Sequence, residues 1–315
     1  MRPPAARCAR RQRGVALLTA LLAVVLAAVL LAILLDAVEF AQARTVHSAR
    51  ALQADAYARG MERWALELLR RDAALDQGRD SRSEAWHVGL PPTAVEGGQV
   101  SGRLIDASGC FNVNNLAPAG VVVPWQLERF RRLLGALQLD QNLAEAVADY
   151  VDLDAVPLPR GAEDARYAAA NPPHRAANRA LSHPSELGQV AGLDREALGR
   201  LLPHVCTLPA PSAINVNTAS VPLLMALDPG IGEALARRLA ADGMADWRNL
   251  EDFRKALTDA GIMLPDLTGS GVASQYFIAQ AQIQLDGVPY VRSALLERGR
   301  GPAPDRVVAR AYGTW

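Results

Sequence analysis

The chain has 315 residues, 50% apolar and 5% aromatic, with 33 basic and 33 acidic side chains. That length provides for two or three domains, and the apolar fraction lies in the ordinary globular range of about 45–50%. Both averages conceal a partition that argues against a soluble cytoplasmic enzyme. Residues 1–14 carry Arg2, Arg7, Arg10, Arg11 and Arg13 and no acid, leaving 28 basic against 33 acidic residues, a formal −5, in the rest. Val15–Leu35 is apolar throughout except for Thr19. At a rise of ~1.5 Å per residue these 21 residues make a helix about 31 Å long, the thickness of a bilayer core. The arginines before it hold the N-terminus in the cytoplasm and place the remainder outside. A cleaved secretory signal has an apolar region of about 7–15 residues; this run is longer and passes into Asp36 and Glu39 without a turn.

The junction is more specific than a plain anchor. Arg11-Gln12-Arg13-Gly14 leads directly into Val15-Ala16-Leu17-Leu18-Thr19, with no Gly or Pro before Gly60. A short basic leader ending in Gly against an apolar helix resembles a type IV prepilin leader. The resemblance implies cleavage between Gly14 and Val15 by a prepilin peptidase, and methylation of the new amine on Val15. Most such chains carry Glu at the fifth mature position, where it pairs with a neighbour's terminal amine; here that position is Thr19. A subunit in the filament body without this carboxylate would leave a charge unpaired in an apolar bundle, which is costly. Thr19 therefore points to a tip position, with no subunit above it.

Apolar positions at 3–5-residue spacing (Val38, Ala41, Thr45, Ala49, Leu52, Ala56, Met61, Trp64, Leu68) predict that the helix continues to about Asp76. Gln99–Ile105 alternates as a half-buried strand does, and Tyr276–Leu285 and Tyr290–Glu297 read as a hairpin turning at Asp286-Gly287. Val307–Tyr312 is a further strand. Between about Phe111 and Ser270 the pattern is helical, with segments expected after Pro124 and over 142–151, 185–190, 195–202, 221–227, 234–241 and 250–260. Cys110-Phe111-Asn112-Val113-Asn114-Asn115-Leu116 is echoed by Ala213-Ile214-Asn215-Val216-Asn217-Thr218-Ala219, each opening a helical stretch; capping by Asn is the favoured role.

The leader junction without Glu, Gly109–Asn114, Gly161-Ala162-Glu163-Asp164, Pro184-Ser185-Glu186-Leu187 and Asn215–Ala219 together resemble the K-type minor pseudopilins of type II secretion, in that family's order and over most of the chain. The resemblance implies an α+β pseudopilin fold, a long N-terminal helix on a small antiparallel sheet, with a large inserted all-α domain. The corresponding division is leader 1–14, transmembrane part 15–35, pseudopilin core 36–110 and 271–315, and inserted helical subdomains 111–211 and 212–270. The second subdomain has a SAM or helix-hairpin-helix character. The implied role is non-enzymatic: a single-pass inner-membrane protein with its C-terminal domain in the periplasm, at the pseudopilus tip with I-type and J-type subunits. There it would help start assembly and engage secreted substrates or the outer-membrane secretin.

Asp149, Asp152, Asp154, Glu163 and Asp164 form the densest acidic cluster, broken by Pro157, Pro159 and Gly161. From spacing alone it reads as a solvated acidic loop, not an EF-hand. The family resemblance implies calcium in the inserted domain, and Asp152, Asp154, Glu163 and Asp164 are the expected ligands. With Cys8 lost in the leader, Cys110 and Cys206 form an even pair facing an oxidising compartment, which favours a disulfide over two buried thiols.

Leu227-Asp228-Pro229-Gly230-Ile231-Gly232 before a helix looks like a helix-hairpin-helix, as in competence DNA receptors. Such a receptor, or a minor type IV pilin, is the alternative function. Residues 212–270 carry eight acids and five bases, a poor surface for phosphate, so no nucleic-acid partner is expected. The five histidines form no metal pattern, and no nucleophile elbow or phosphate loop is present.

Overall fold

Twenty-one residues without Gly or Pro, all but Thr19 apolar, leave the backbone no reason to turn. The computed structural model describes residues 9–75, 78–209, 211–299 and 303–314, and its first element, α1, is one helix over Ala9–Leu75. Residues 1–8 of the leader lie outside the described residues, and those from Ala9 to Gly14 are helical. Two compact units divide the chain, residues 1–56 and 57–315. In the first, Val15–Leu35 exposes every side chain, and Thr19 Oγ1 donates to the Ala16 carbonyl oxygen at 3.0 Å.

The second unit begins with the remaining turns of α1, followed by α2 (Ala85–Val88), β1 (Leu90–Val95), β2 (Gly98–Asp106) and β3 (Phe111–Asn112). The helices α3 (Pro124–Ala136), α4 (Leu143–Val151), α5 (Asp164–Ala168) and α6 (Arg195–Leu201) come next, then β4 (Val205–Cys206) and β5 (Ile214–Asn215). They are followed by α7 (Val221–Leu227), α8 (Glu233–Ala240), α9 (Leu250–Asp259) and β6 (Ser270–Gly271). The chain closes with β7 (Tyr276–Leu285), β8 (Val288–Glu297) and β9 (Arg306–Tyr312).

Five strands form one antiparallel sheet in the order β1-β2-β7-β8-β9. The two-residue turn Asp286-Gly287 joins β7 to β8 with both φ angles positive (48° and 81°), as a tight hairpin requires. Period-two alternation gives the sheet two buried faces near its end. Leu104, Phe277, Ala279, Ala294 and Leu296 pack with Ala65, Leu69 and Trp86, while Tyr276 and Leu295 pack with Cys206 and Leu208. At Gly102 the strand passes so close to Met61 that a Cβ would lie 2.3 Å from its terminal methyl carbon.

The residues between β2 and β7 are largely helical and bury one continuous apolar core. Phe111, Phe130, Leu133 and Leu134 share it with Leu223, Leu224, Phe253 and Leu257. The amphipathic spacing of Leu127, Phe130, Leu133, Leu134 and Leu137 predicts this face of α3. The segment expected to be helical at 185–190 is a 3-10 helix over Pro184–Gln189, capped by the His183 ring and by Glu186 reaching back.

Candidate functional site

The end of α4 builds the acidic site. Asp149 lies in its last turn, and Asp152 stops the helix in extended backbone (φ −74°, ψ 176°). The loop then returns through Pro157, Pro159 and Gly161 to Glu163. One carboxylate oxygen from each of Asp152, Asp154 and Glu163 falls within 4.8 Å of the others. Asp152 is 3% exposed and Glu163 6%, yet among the described residues none donates a hydrogen bond to Asp152 Oδ1, to either Glu163 oxygen or to Asp149 Oδ1. Asp149 Oδ2 accepts from Leu158 N at 3.0 Å. Gly161 is required here, because a Cβ would sit 1.8 Å from that oxygen.

Burial pushes the Asp152 carboxyl up to about 7, with Asp154, Asp149 and Glu163 adding repulsion. Burial likewise raises Asp149 to about 6 and raises Glu163. Among the described residues no basic side chain pairs with any of these four carboxylates. Buried carboxylate oxygens without donors are the donor set a hard divalent cation takes, so the residues fit calcium. Asp164, also expected as a ligand, is set apart: it opens α5 and its Oδ1 accepts from Ala176 N at 3.0 Å. Asp149, in the same cluster but outside the expected ligand set, stands beside them, three residues before Asp152 at the helix end.

A second acidic group, Asp72, Asp80 and Glu84, differs in its cations. Arg298 reaches Asp72 at 3.2 Å and Asp80 at 2.7 Å, and Arg79 lies 3.5 Å from Glu84. It is an internal ion-pair network in which two arginines already engage all three carboxylates.

Where the inserted region meets the sheet, Cys110 and Cys206 form a disulfide with Cα atoms 5.9 Å apart. The two Asn-Val-Asn segments do the same work twice. Asn112 Oδ1 accepts from Asn114 N, and Asn215 Oδ1 accepts from Asn217 N, each closing a local turn. The second Asn of each pair then clamps a distant backbone: Asn114 exchanges two bonds with Leu181, and Asn217 two with Trp247. Asp106, which sequence reasoning passed over, ties this junction to β2. It accepts from Ser108 N, Asn215 Nδ2, Thr218 Oγ1 and Ser274 Oγ.

The hairpin between α7 and α8 is closed on itself. Gly230 N donates to Asp228 Oδ1 at 2.8 Å, Ile231 N to the Asp228 carbonyl oxygen and Gly232 N to that of Gly230. Asp266 N takes Asp228 Oδ2. The Asp228 carboxylate thus already takes the Gly230 amide of the hairpin. Arg237 pairs with Glu233, Arg248 with Asp252 and Arg254 with Glu251.

Residues 109–210 and 214–270 match two family models, each described as Type II secretion system (T2SS), protein K. Type II secretion system protein K of Pseudomonas aeruginosa is 36% identical over 320 residues, covering 96% of this chain and 94% of that one. The protein of the same name from Klebsiella pneumoniae is 33% identical, covering 97% and 98%. Among solved structures, the GspK-GspI-GspJ complex of the enterotoxigenic Escherichia coli Type 2 Secretion System contains a chain matching with a TM-score of 0.73 at 26% identity. The match covers 86% of this chain and 100% of that one. With a family-specific inserted region, a pseudopilin-like helix and sheet, and relatives aligned over nearly its whole length, the chain belongs to the type II secretion system protein K family.

Proposed function

We propose that the protein is a minor pseudopilin at the tip of a type II secretion pseudopilus. Val15–Leu35 holds it as a single-pass protein in the inner membrane, with the C-terminal domain in the periplasm. Prepilin peptidase cuts between Gly14 and Val15, and Val15 is then N-methylated. Its work is assembly: with I-type and J-type minor pseudopilins it starts the filament, and its outer end is placed to meet the secretin and secreted substrates. The solution of an E. coli relative in complex with GspI and GspJ supports these partners.

The observation that carries the tip position is Thr19. It carries no carboxylate for an amine above it, and its hydroxyl donates instead to the Ala16 carbonyl oxygen of its own helix. Light scattering on the detergent-solubilised chain mixed with its I-type and J-type partners tests the reading. A defined complex is expected, and three separate species would sink it.

Within this reading, Asp152, Asp154 and Glu163 hold calcium beside Asp149, and the ion pins the loop to the end of α4. The support is the set of orphaned, buried carboxylate oxygens. Calorimetry is expected to show a calcium-dependent heat that Gly161→Ala weakens, since its Cβ would displace Asp149. No heat with the unaltered chain would remove the site.

A further inference from the structure

A cleft of about 330 Å³ opens between the start of α4, the backbone of Gly161 and Ala162, and the Ala191-Gly192 loop. That is the lower end of the roughly 300–1,000 Å³ range of ligand pockets. Arg160 and Arg166 line it from either side of the loop that carries Glu163. Among the described residues no acid pairs with either guanidinium. Both are held by their backbones: Arg160 N donates to Glu145 Oε2 at 2.6 Å, and Arg166 N to the Glu163 carbonyl oxygen at 2.8 Å. Single surface arginines are ordinarily solvated. Two exposed arginines without an acid partner, lining one concavity, offer an oxyanion two guanidiniums.

The other wall decides the kind of ligand. Asp140 uses Oδ1 to accept from Asn142 N and Nδ2, both at 2.9 Å, while none of the described residues donates to its Oδ2. A phosphate dianion entering this cleft would meet Asp140 as well as the arginines. A peptide suits both walls, because its acidic side chain answers the guanidiniums and its backbone N–H answers Asp140 Oδ2. We propose that this cleft binds a peptide segment through an acidic side chain, with Arg160 and Arg166 taking the carboxylate and Asp140 a backbone N–H.

The test uses the full chain in detergent micelles, following the backbone amide resonances of Gly161 and Gly192. The probes are the blocked tripeptide Gly-Glu-Gly, its Gly-Gln-Gly counterpart and inorganic phosphate. Saturable shifts with the Glu peptide are expected, with affinity about tenfold weaker for the Gln peptide, a difference of about 1.4 kcal/mol. The combined Arg160→Gln and Arg166→Gln variant is expected to lose about as much. Absence of saturation, equal binding of the two peptides, phosphate binding as tightly as the Glu peptide, or unchanged affinity in the variant would each overturn the proposal. The peptide comparison needs no variant and so stands if the variant fails to fold.

Discussion

Asp106 shows how much one carboxylate can organise. Four donors converge on it from β2, the second Asn-Val-Asn segment and the entry to β7. Loss of water raises its pKa, while hydrogen bonds from Thr218 and Ser274 pull it down. Asp106→Ala strands those donors, and an unsatisfied buried donor costs ~1–3 kcal/mol. Asn215 keeps its bond to the Asp80 carbonyl oxygen, so we expect a net loss of roughly 2 kcal/mol in urea unfolding, in the usual range for breaking a buried network.

Asp80, nearby and 0% exposed, is raised to about 7 because burial outweighs the pull of Arg298. The folded state therefore keeps this proton up to about pH 7, whereas an unfolded aspartate releases it near 3.8. Between those values the folded state binds more protons, so Asp80 makes stability fall as pH rises. Asp80→Asn cannot titrate. Its stability relative to the unaltered chain is expected to improve from pH 4 to pH 7, and parallel curves would contradict the assignment. Isolated carboxylates like these, far apart in sequence, carry no pattern that reveals them; the dense cluster at Asp152, Asp154 and Glu163 does.

At the level of elements, the inserted region is entered and closed twice by one device. Phe111–Asn112 pairs in parallel with Val205–Cys206, and Ile214–Asn215 with Ser270–Gly271. The Asn-Val-Asn echo exposes the repetition in the sequence, but two-residue strands fall below any periodic window, so the pairing was not legible. Strand β1 was not legible for a different reason. Pro91 and Pro92 interrupt a strand pattern, and they are tolerated because β1 lies at the sheet edge, where among the described residues it pairs with β2 alone, and is bulged at that point. The longer strands were legible from more residues: β2 through its alternation, and β7 and β8 as two ten-residue runs joined at Asp286-Gly287. The first closure also carries the disulfide, whose cysteines are 96 residues apart. A loop of that length is worth roughly 4–5 kcal/mol in the chain-entropy account. Reduction, or Cys206→Ser, is expected to lower the melting temperature of the chain. Equal melting of oxidised and reduced protein would mean that the bridge adds nothing to the β3–β4 closure.

Across the whole molecule, the zero net charge and the ordinary apolar fraction are sums over two unlike parts. Residues 1–14 hold five arginines, and the next 21 residues hold one polar side chain. This was legible because transfer free energy accumulates along a continuous run and needs no tertiary contact to be recognised. The same independence gives a whole-chain prediction. Every side chain of Val15–Leu35 is exposed, while the buried apolar residues begin at Ala54. Lipid, detergent or neighbouring helices must therefore cover the first segment. A chain starting at Asp36 is expected to partition into the aqueous phase of a detergent two-phase system, where the full chain enters the detergent phase. Its melting transition should match that of the full chain within the spread of neutral surface changes, about 0.5 kcal/mol. Loss of the transition would place a contact needed for folding among the first 35 residues, and retention in the detergent phase would locate a second apolar surface beyond them.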